Sequence, residues 1–292
     1  MQTRGFQPGW YVVLFALALG AFAMPVQAAR VGILTNQYGP ETALDFTNHV
    51  PGHTFTAVDV STNVPTLAQL TASFDVILLY EDGTFVNAPS VGNVLAAYAS
   101  SGRAVVLGTF YDEDRTDGPP AFTPHGWGQL EQIDPNTTDG VGTPYAPRTL
   151  DPSSIVSHPL TTGVTRFSSN KFAGGNQAKP GTTVVAAFTQ KNARGNTDPA
   201  IDYRVTSAAC IIHVAIAPNY PSIGVFGTDF DGDFYRIWRN ALDFGANHCS
   251  TAAAYPAGDP ADVPALEPLA LAALALLLGA SGTLLARRRL RR

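Results

Sequence analysis

The chain has 292 residues, 45% of them hydrophobic and 14% charged, with a formal net charge of −5. That length bounds the chain at one or two domains with a real core, and the acidic balance excludes nucleic acid and anionic lipid as partners of the folded part. Six of the 18 basic residues, Arg4, Arg287, Arg288, Arg289, Arg291 and Arg292, lie in the end segments, so the part between them is more anionic than the total.

Residues 1–28 join basic Arg4 to an apolar stretch over 10–24 and the small-residue sequence Val26-Gln27-Ala28. This is the pattern of a secretory signal peptide. Residues 30–35 then predict a first strand, 40–50 a helix, 54–60 a second strand and 65–73 a short helix with Leu67 and Leu70 inward. Residues 74–109 form the clearest unit. Apolar runs at 75–80 and 104–107 look like strands buried on both faces of a parallel sheet. Between them Val91, Val94, Leu95 and Tyr98 recur at helical spacing, and Gly102 supplies the left-handed stop. Parallel strands so joined make a right-handed βαβ unit.

Residues 110–152 are rich in Gly, Pro, Asp and Thr, so they predict a long loop that carries small elements or shapes a site. Further strands are expected at 181–188, 201–205 and 210–217, the first two as an antiparallel hairpin, with one more at 223–227. Residues 234–244 close the domain as an amphipathic helix with Ile237, Trp238, Ala241 and Leu242 inward. The alternation predicts a three-layer, flavodoxin-like α/β sandwich over 29–250, its sheet mostly parallel with a small antiparallel extension.

Residues 251–262 read as a flexible linker. After them, 269–286 is an unbroken run of apolar and small residues; at about 1.5 Å per residue it is roughly 27 Å long, enough for a membrane span. The arginines behind it predict a cytoplasmic end. Val263, Pro264 and Leu266, followed by the apolar run and Arg287, Arg288 and Arg289, resemble the IPTL-CTERM sorting tail of Gram-negative bacteria. That resemblance implies an exosortase-type membrane protease as partner, an inner-membrane anchor facing the periplasm, and delivery to the cell surface or matrix.

The domain itself resembles the class I glutamine amidotransferase-like superfamily, and within it the exported ThuA-like members. The likeness rests on the 74–109 unit, on Ser157-His158-Pro159-Leu160-Thr161-Thr162-Gly163-Val164, and on Arg239-Asn240-Ala241-Leu242-Asp243-Phe244. In that superfamily the nucleophilic cysteine stands in a glycine-flanked turn after the strand matching 104–107. Phe110 occupies that position here, Asp112 replaces the second glycine, and no His-x-Glu follows. The resemblance therefore implies an exported, surface-anchored module without the thiol chemistry, binding a glycan or another envelope component. The alternative it implies is a carbohydrate-active hydrolase of ThuA-like type, using carboxylates at the C-terminal edge of the sheet.

Candidate site residues follow from position. Glu81 and Asp82 end one strand, and Asp112, Glu113, Asp114 and Asp117 follow the next, at the edge where open α/β sheets bind ligands. They could form an acidic mouth for a cation or for sugar hydroxyls, with His125 as a further weak catalytic candidate, or a solvated charged loop. Asp229, Asp231 and Asp233 alternate as calcium ligands do, but Phe234 stands where a calcium loop wants glycine; capping of the following helix explains the same residues. Cys210 and Cys249, the only cysteines, predict a disulfide in an oxidising compartment, with a catalytic thiol as the sharper alternative. No phosphate-cradling or dinucleotide-binding glycine motif is present, so no cofactor is expected.

Overall fold

The computed structural model of the protein describes residues 28–82, 85, 87–113, 126–137, 147–207, 209–220 and 229–247. The chain divides into two compact units, Met1–Ala254 and Tyr255–Arg292, and the second lies wholly outside the described residues.

The first half alternates strand and helix: β1 (Ala29–Thr35), α1 (Gly39–His49), β2 (His53–Asp59), α2 (Leu67–Ser73), β3 (Val76–Leu79), α3 (Ala88–Ser100) and β4 (Ala104–Gly108). After four short 3-10 turns and, among them, the brief strands β5 (Arg148–Thr149) and β6 (Phe167–Ser169) come β7 (Thr183–Lys191), β8 (Thr197–Thr206) and β9 (Ala209–Val214). The described part ends with β10 (Phe230–Gly232) and α4 (Phe234–Asn247). Seven strands form one sheet in the order β2-β1-β3-β4-β9-β8-β7, and β10-β6-β5 form a second, small one. From β2 to β9 every pairing is parallel; β8 and β7 run antiparallel, and so does the small sheet.

The apolar runs become central strands because both faces are covered. Along β1, β3, β4 and β9, Val31, Ile33, Val76, Val106 and Ile212 pack toward Phe46 of α1 and Ile237, Trp238 and Leu242 of α4. Their sequence neighbours Leu34, Ile77, Val105, Leu107 and Ile211 pack the other way, toward Leu70 of α2 and Leu95 and Tyr98 of α3. This is the three-layer sandwich expected. Thr66 starts α2 with a capping box closed by Gln69, which fixes a helix of only seven residues.

Two features position the site. The order β2-β1-β3 makes the chain reverse direction across the sheet after β2, which opens a crevice at the C-terminal ends of β1 and β3. In addition, residues 126–137 lie over the N-terminal part of α3, where Gln129 N–H donates to Asn93 Oδ1 at 2.7 Å. Gly92 permits this approach: a Cβ there would stand 1.7 Å from the Trp127 carbonyl oxygen.

The long loop expected over 110–152 contains the 3-10 turns Tyr111–Glu113 and Gly128–Gln132 as well as β5. The strand expected at 223–227 lies outside the described residues, and β10 begins after it. Among the described residues no helix is long and apolar enough to cross a membrane, and the span expected at 269–286 falls outside them, as do residues 1–27. The sorting residues Val263, Pro264, Leu266, Arg287, Arg288 and Arg289 are likewise outside. Cys210 is buried at the start of β9 and is not a free thiol, which removes it as a nucleophile. Cys249, the other half of the expected Cys210–Cys249 bridge, lies outside the described residues.

Candidate functional site

β3 and β4 end side by side, and the chain beyond each is held to the other: Phe110 N–H donates to the Glu81 carbonyl at 3.0 Å. Glu81 is fully buried there. Asp82 bridges the crevice, its N–H donating to Asn36 Oδ1 at 2.9 Å and its Oδ2 accepting from Asn219 Nδ2 at 2.6 Å. Phe110 is buried against Phe172, with ring centroids 5.4 Å apart.

The 3-10 turn Tyr111–Glu113 then directs two side chains under the 126–137 segment. Tyr111 stacks on Trp127 and its hydroxyl donates to Asp134 Oδ2 at 2.8 Å. Asp112 places Oδ2 2.7 Å from Nε2 of His213. The approach is off the N–H axis, so the contact is an ion pair more than a hydrogen bond.

His213 lies on β9 beside Leu107 of β4 and opposite Asp202 of β8. Side chains alternate along β9, so His213 faces the same way as Ile211, toward the α2 and α3 layer. Asp202 is its cross-strand neighbour, and Asn136 closes the gap between them. Asn136 Nδ2 is 2.8 Å from His213 Nδ1 and 3.0 Å from Asp202 Oδ2. His213, Asp202 and Asn136 are all fully buried. Three atoms of the cluster, Asp112 Oδ1, Asn136 Oδ1 and His213 Nε2, are buried without a hydrogen-bond partner among the described residues, Nε2 having only its ion pair with Asp112.

The electrostatics follow from this geometry. Burial works against a charge on His213, but Asp112 and Asp202 outweigh it and push the ring's pKa up to about 10. Burial raises the Asp202 carboxyl above the usual carboxylate range, with His213 opposing. Next to it, burial pushes Asp134 up to about 7 although Lys179 is bonded to it. Burial also lifts the Tyr111 phenol well above its ordinary value.

Of the candidate residues, Glu81, Asp82 and Asp112 lie at the C-terminal edge as expected, and Asp112 alone meets a histidine. That histidine is His213, not His125; His125 and Asp114 lie outside the described residues. The three aspartates of the 229–233 stretch do not converge. Asp229 pairs with Lys171 at 2.9 Å and Asp231 with Arg166. Asp233 accepts from Thr165 N–H at 2.8 Å and Arg166 N–H at 3.0 Å, while its carbonyl takes the Ile237 N–H of α4. It therefore ties α4 to the turn after His158, which Asn240 also holds through the Leu160 and Thr162 carbonyls. Among the described residues no group of three or more His, Cys, Asp or Glu could hold a metal.

No family model matches the chain, and no curated protein matches it. Among solved structures it is similar to Cytoplasmic Protein STM1381 from Salmonella typhimurium LT2, at 14% identity and TM-score 0.52, over 74% of this chain and 99% of that one. Cytoplasmic Protein STM3548 from Salmonella typhimurium gives 12% identity and TM-score 0.50 over 73% and 98%. A β-galactosidase from Rahnella sp. R3 overlays at TM-score 0.45 over 33% of its length, too loosely to bear on activity.

At these identities the first two share the fold and nothing more. The comparisons do not support the expected identification as an exported, ThuA-like amidotransferase relative with a sorting tail, which is corrected to the fold alone. The structures that match over almost their whole length are named as cytoplasmic proteins, and neither a family model nor a curated relative supports an exported one. The surface-anchored localisation rested on that identification and is withdrawn with it. Three short motifs in a shared order are explained by the fold itself: the His158 turn and the Asn240 helix touch because they pack together.

Proposed function

We propose that the C-terminal edge of β3 and β4 is the active site of a hydrolase for neutral, hydroxyl-rich substrates, a carbohydrate-active enzyme in the broad sense. The observation that carries this reading is Asp112, which holds one oxygen against a buried histidine and leaves the other without a partner among the described residues. An ionised carboxylate so held can take a proton from water through Oδ1 while the water oxygen attacks the substrate. Glycoside hydrolysis needs a second carboxyl group to protonate the leaving oxygen; of the two others at this edge, Asp82 is held by Asn219, and Glu81, backbone-bonded to Phe110, is assigned that role. Three acidic side chains at one edge repel anionic substrates and accept hydrogen bonds from hydroxyls.

A panel of nitrophenyl glycosides, neutral and anionic, tests this directly. The wild-type protein should release nitrophenol from at least one neutral glycoside, with release lost in Asp112→Asn and Glu81→Gln. Release from none of them at high protein concentration overturns the proposal, and saturable sugar binding without release points instead to a binding module.

A further inference from the structure

The hydrolase reading uses Asp112 and its contact with His213 but leaves the two groups behind the ring, Asn136 and Asp202, without a role. Both are fully buried and polar, and burying such groups is costly unless the arrangement repays it. Asn136 Nδ2 sits between Asp202 Oδ2 and His213 Nδ1, at 3.0 and 2.8 Å, while His213 Nε2 is 2.7 Å from Asp112 on the far side. The ring is therefore engaged through both nitrogens, and turning it over would break both contacts.

We infer that Asn136 and Asp202 are positioning residues, which fix the His213 ring so that Nε2 stays paired with one oxygen of Asp112 and leaves the other for the attacking water. This rests on the reading of Asp112 as the base. Because Nδ1 faces an amide N–H, the ring's first proton sits on Nε2. A second proton, on Nδ1, requires the amide carbonyl there instead. That is a half-turn of the Asn136 side chain, which would use an oxygen that otherwise has no partner among the described residues. Nε2 stays against Asp112 in both states. The charged groups around the ring are Asp112 from the turn after β4 and Asp202 from β8; Tyr111, Asp134 and Lys179 form the adjoining cluster under the same segment. Since the segment carrying Asn136 also covers the sheet face, docking of 126–137 completes the site.

The test pairs nitrogen-15 NMR of the histidine rings, without substrate, with kinetics of Asp202→Asn. Wild-type His213 should carry an exchange-protected hydrogen on Nε2. In Asp202→Asn its titration midpoint should fall by about one pH unit or more, since a carboxylate that raises it is gone. Turnover of the active glycoside should fall about tenfold or more in kcat with KM little changed, and not fall further when Asp112 is already Asn. A variant that only melts lower, with midpoint and kcat unmoved, overturns the inference. So does a wild-type ring whose Nε2 is bare, a result that stands even where Asp202→Asn fails to fold. If no glycoside is turned over, the hydrolase reading fails by itself, and the midpoint shift still decides whether Asp202 positions the ring.

Discussion

The pair Arg148–Asp198 and the chain Asp112–His213–Asp202 are both charged groups taken out of water, yet their partners differ. Arg148 Nε donates to Asp198 Oδ2 at 2.6 Å, and the same carboxylate accepts from Gly175 N–H at 2.8 Å and Asn176 N–H at 3.0 Å. Gly174 makes room for the arginine: its φ is +72° and a Cβ would stand 2.2 Å from Arg148 Nε. In the other cluster the acceptors Asp112 Oδ1 and Asn136 Oδ1 have no hydrogen-bond partner among the described residues. A completed network fastens the β5 region onto β8. An incomplete one at the ligand edge retains an acceptor that something outside the described residues can use.

Breaking the completed network should give the largest effect. Arg148→Ala leaves Asp198 buried without its counter-charge, so unfolding free energy in urea should fall by about 3–5 kcal/mol. A loss under about 1 kcal/mol would mean that the backbone N–H groups alone satisfy the carboxylate.

Next in size is the pH dependence of the histidine cluster and of the adjoining Asp134. His213 has a folded pKa raised from 6.5 to about 10, so its contribution is fully present below pH 6.5 and disappears as pH rises through 10. The loss across that window should be a few kcal/mol, on the order of 2–4. Asp134, raised from 3.8 to about 7, has the same sign in a lower window: its contribution declines from pH 3.8 to 7. Urea titrations from pH 4 to 10 should therefore show stability declining in two steps, with the upper step absent in His213→Gln.

Much of the fold was legible because burial on both faces writes itself as apolar runs, and Gly102 and the spacing of Val91, Leu95 and Tyr98 mark α3. Asp112 was legible too, as the first acid past β4. Its partner was not. His213 stands inside the strand-like run 210–217, and a lone histidine there reads as core filling; its alternation with Ile212 and Val214 was the only signal of its side. The register that sets Asp202 opposite it comes from the β8–β9 pairing, and Asn136 arrives from a loop with no periodicity.

Asp112→Asn sharpens the comparison from the other side. The substitution keeps the shape and removes the charge, so turnover of a neutral glycoside should drop by about a hundredfold or more, the scale of a lost general base. Stability should change far less than in Arg148→Ala, because Asp112 forms one ion pair and leaves an oxygen unused. Loss of fold comparable to Arg148→Ala would make Asp112 a second structural fastener and remove the distinction.

The smallest effect is expected where charges pair without burial. Arg166 and Asp231 approach each other with side chains 67% and 67% exposed, so water and salt screen them and each side chain gives up conformational freedom to meet the other. Asp231→Asn should leave the melting temperature unchanged within error at 0.15 M salt, while Asp233→Asn, whose carboxylate holds two backbone N–H groups of the 165–166 turn against α4, should lower it measurably. If the two variants melted alike, proximity of charges would count for as much as satisfied backbone donors. The contrast drawn between the two buried clusters would then lose its physical basis.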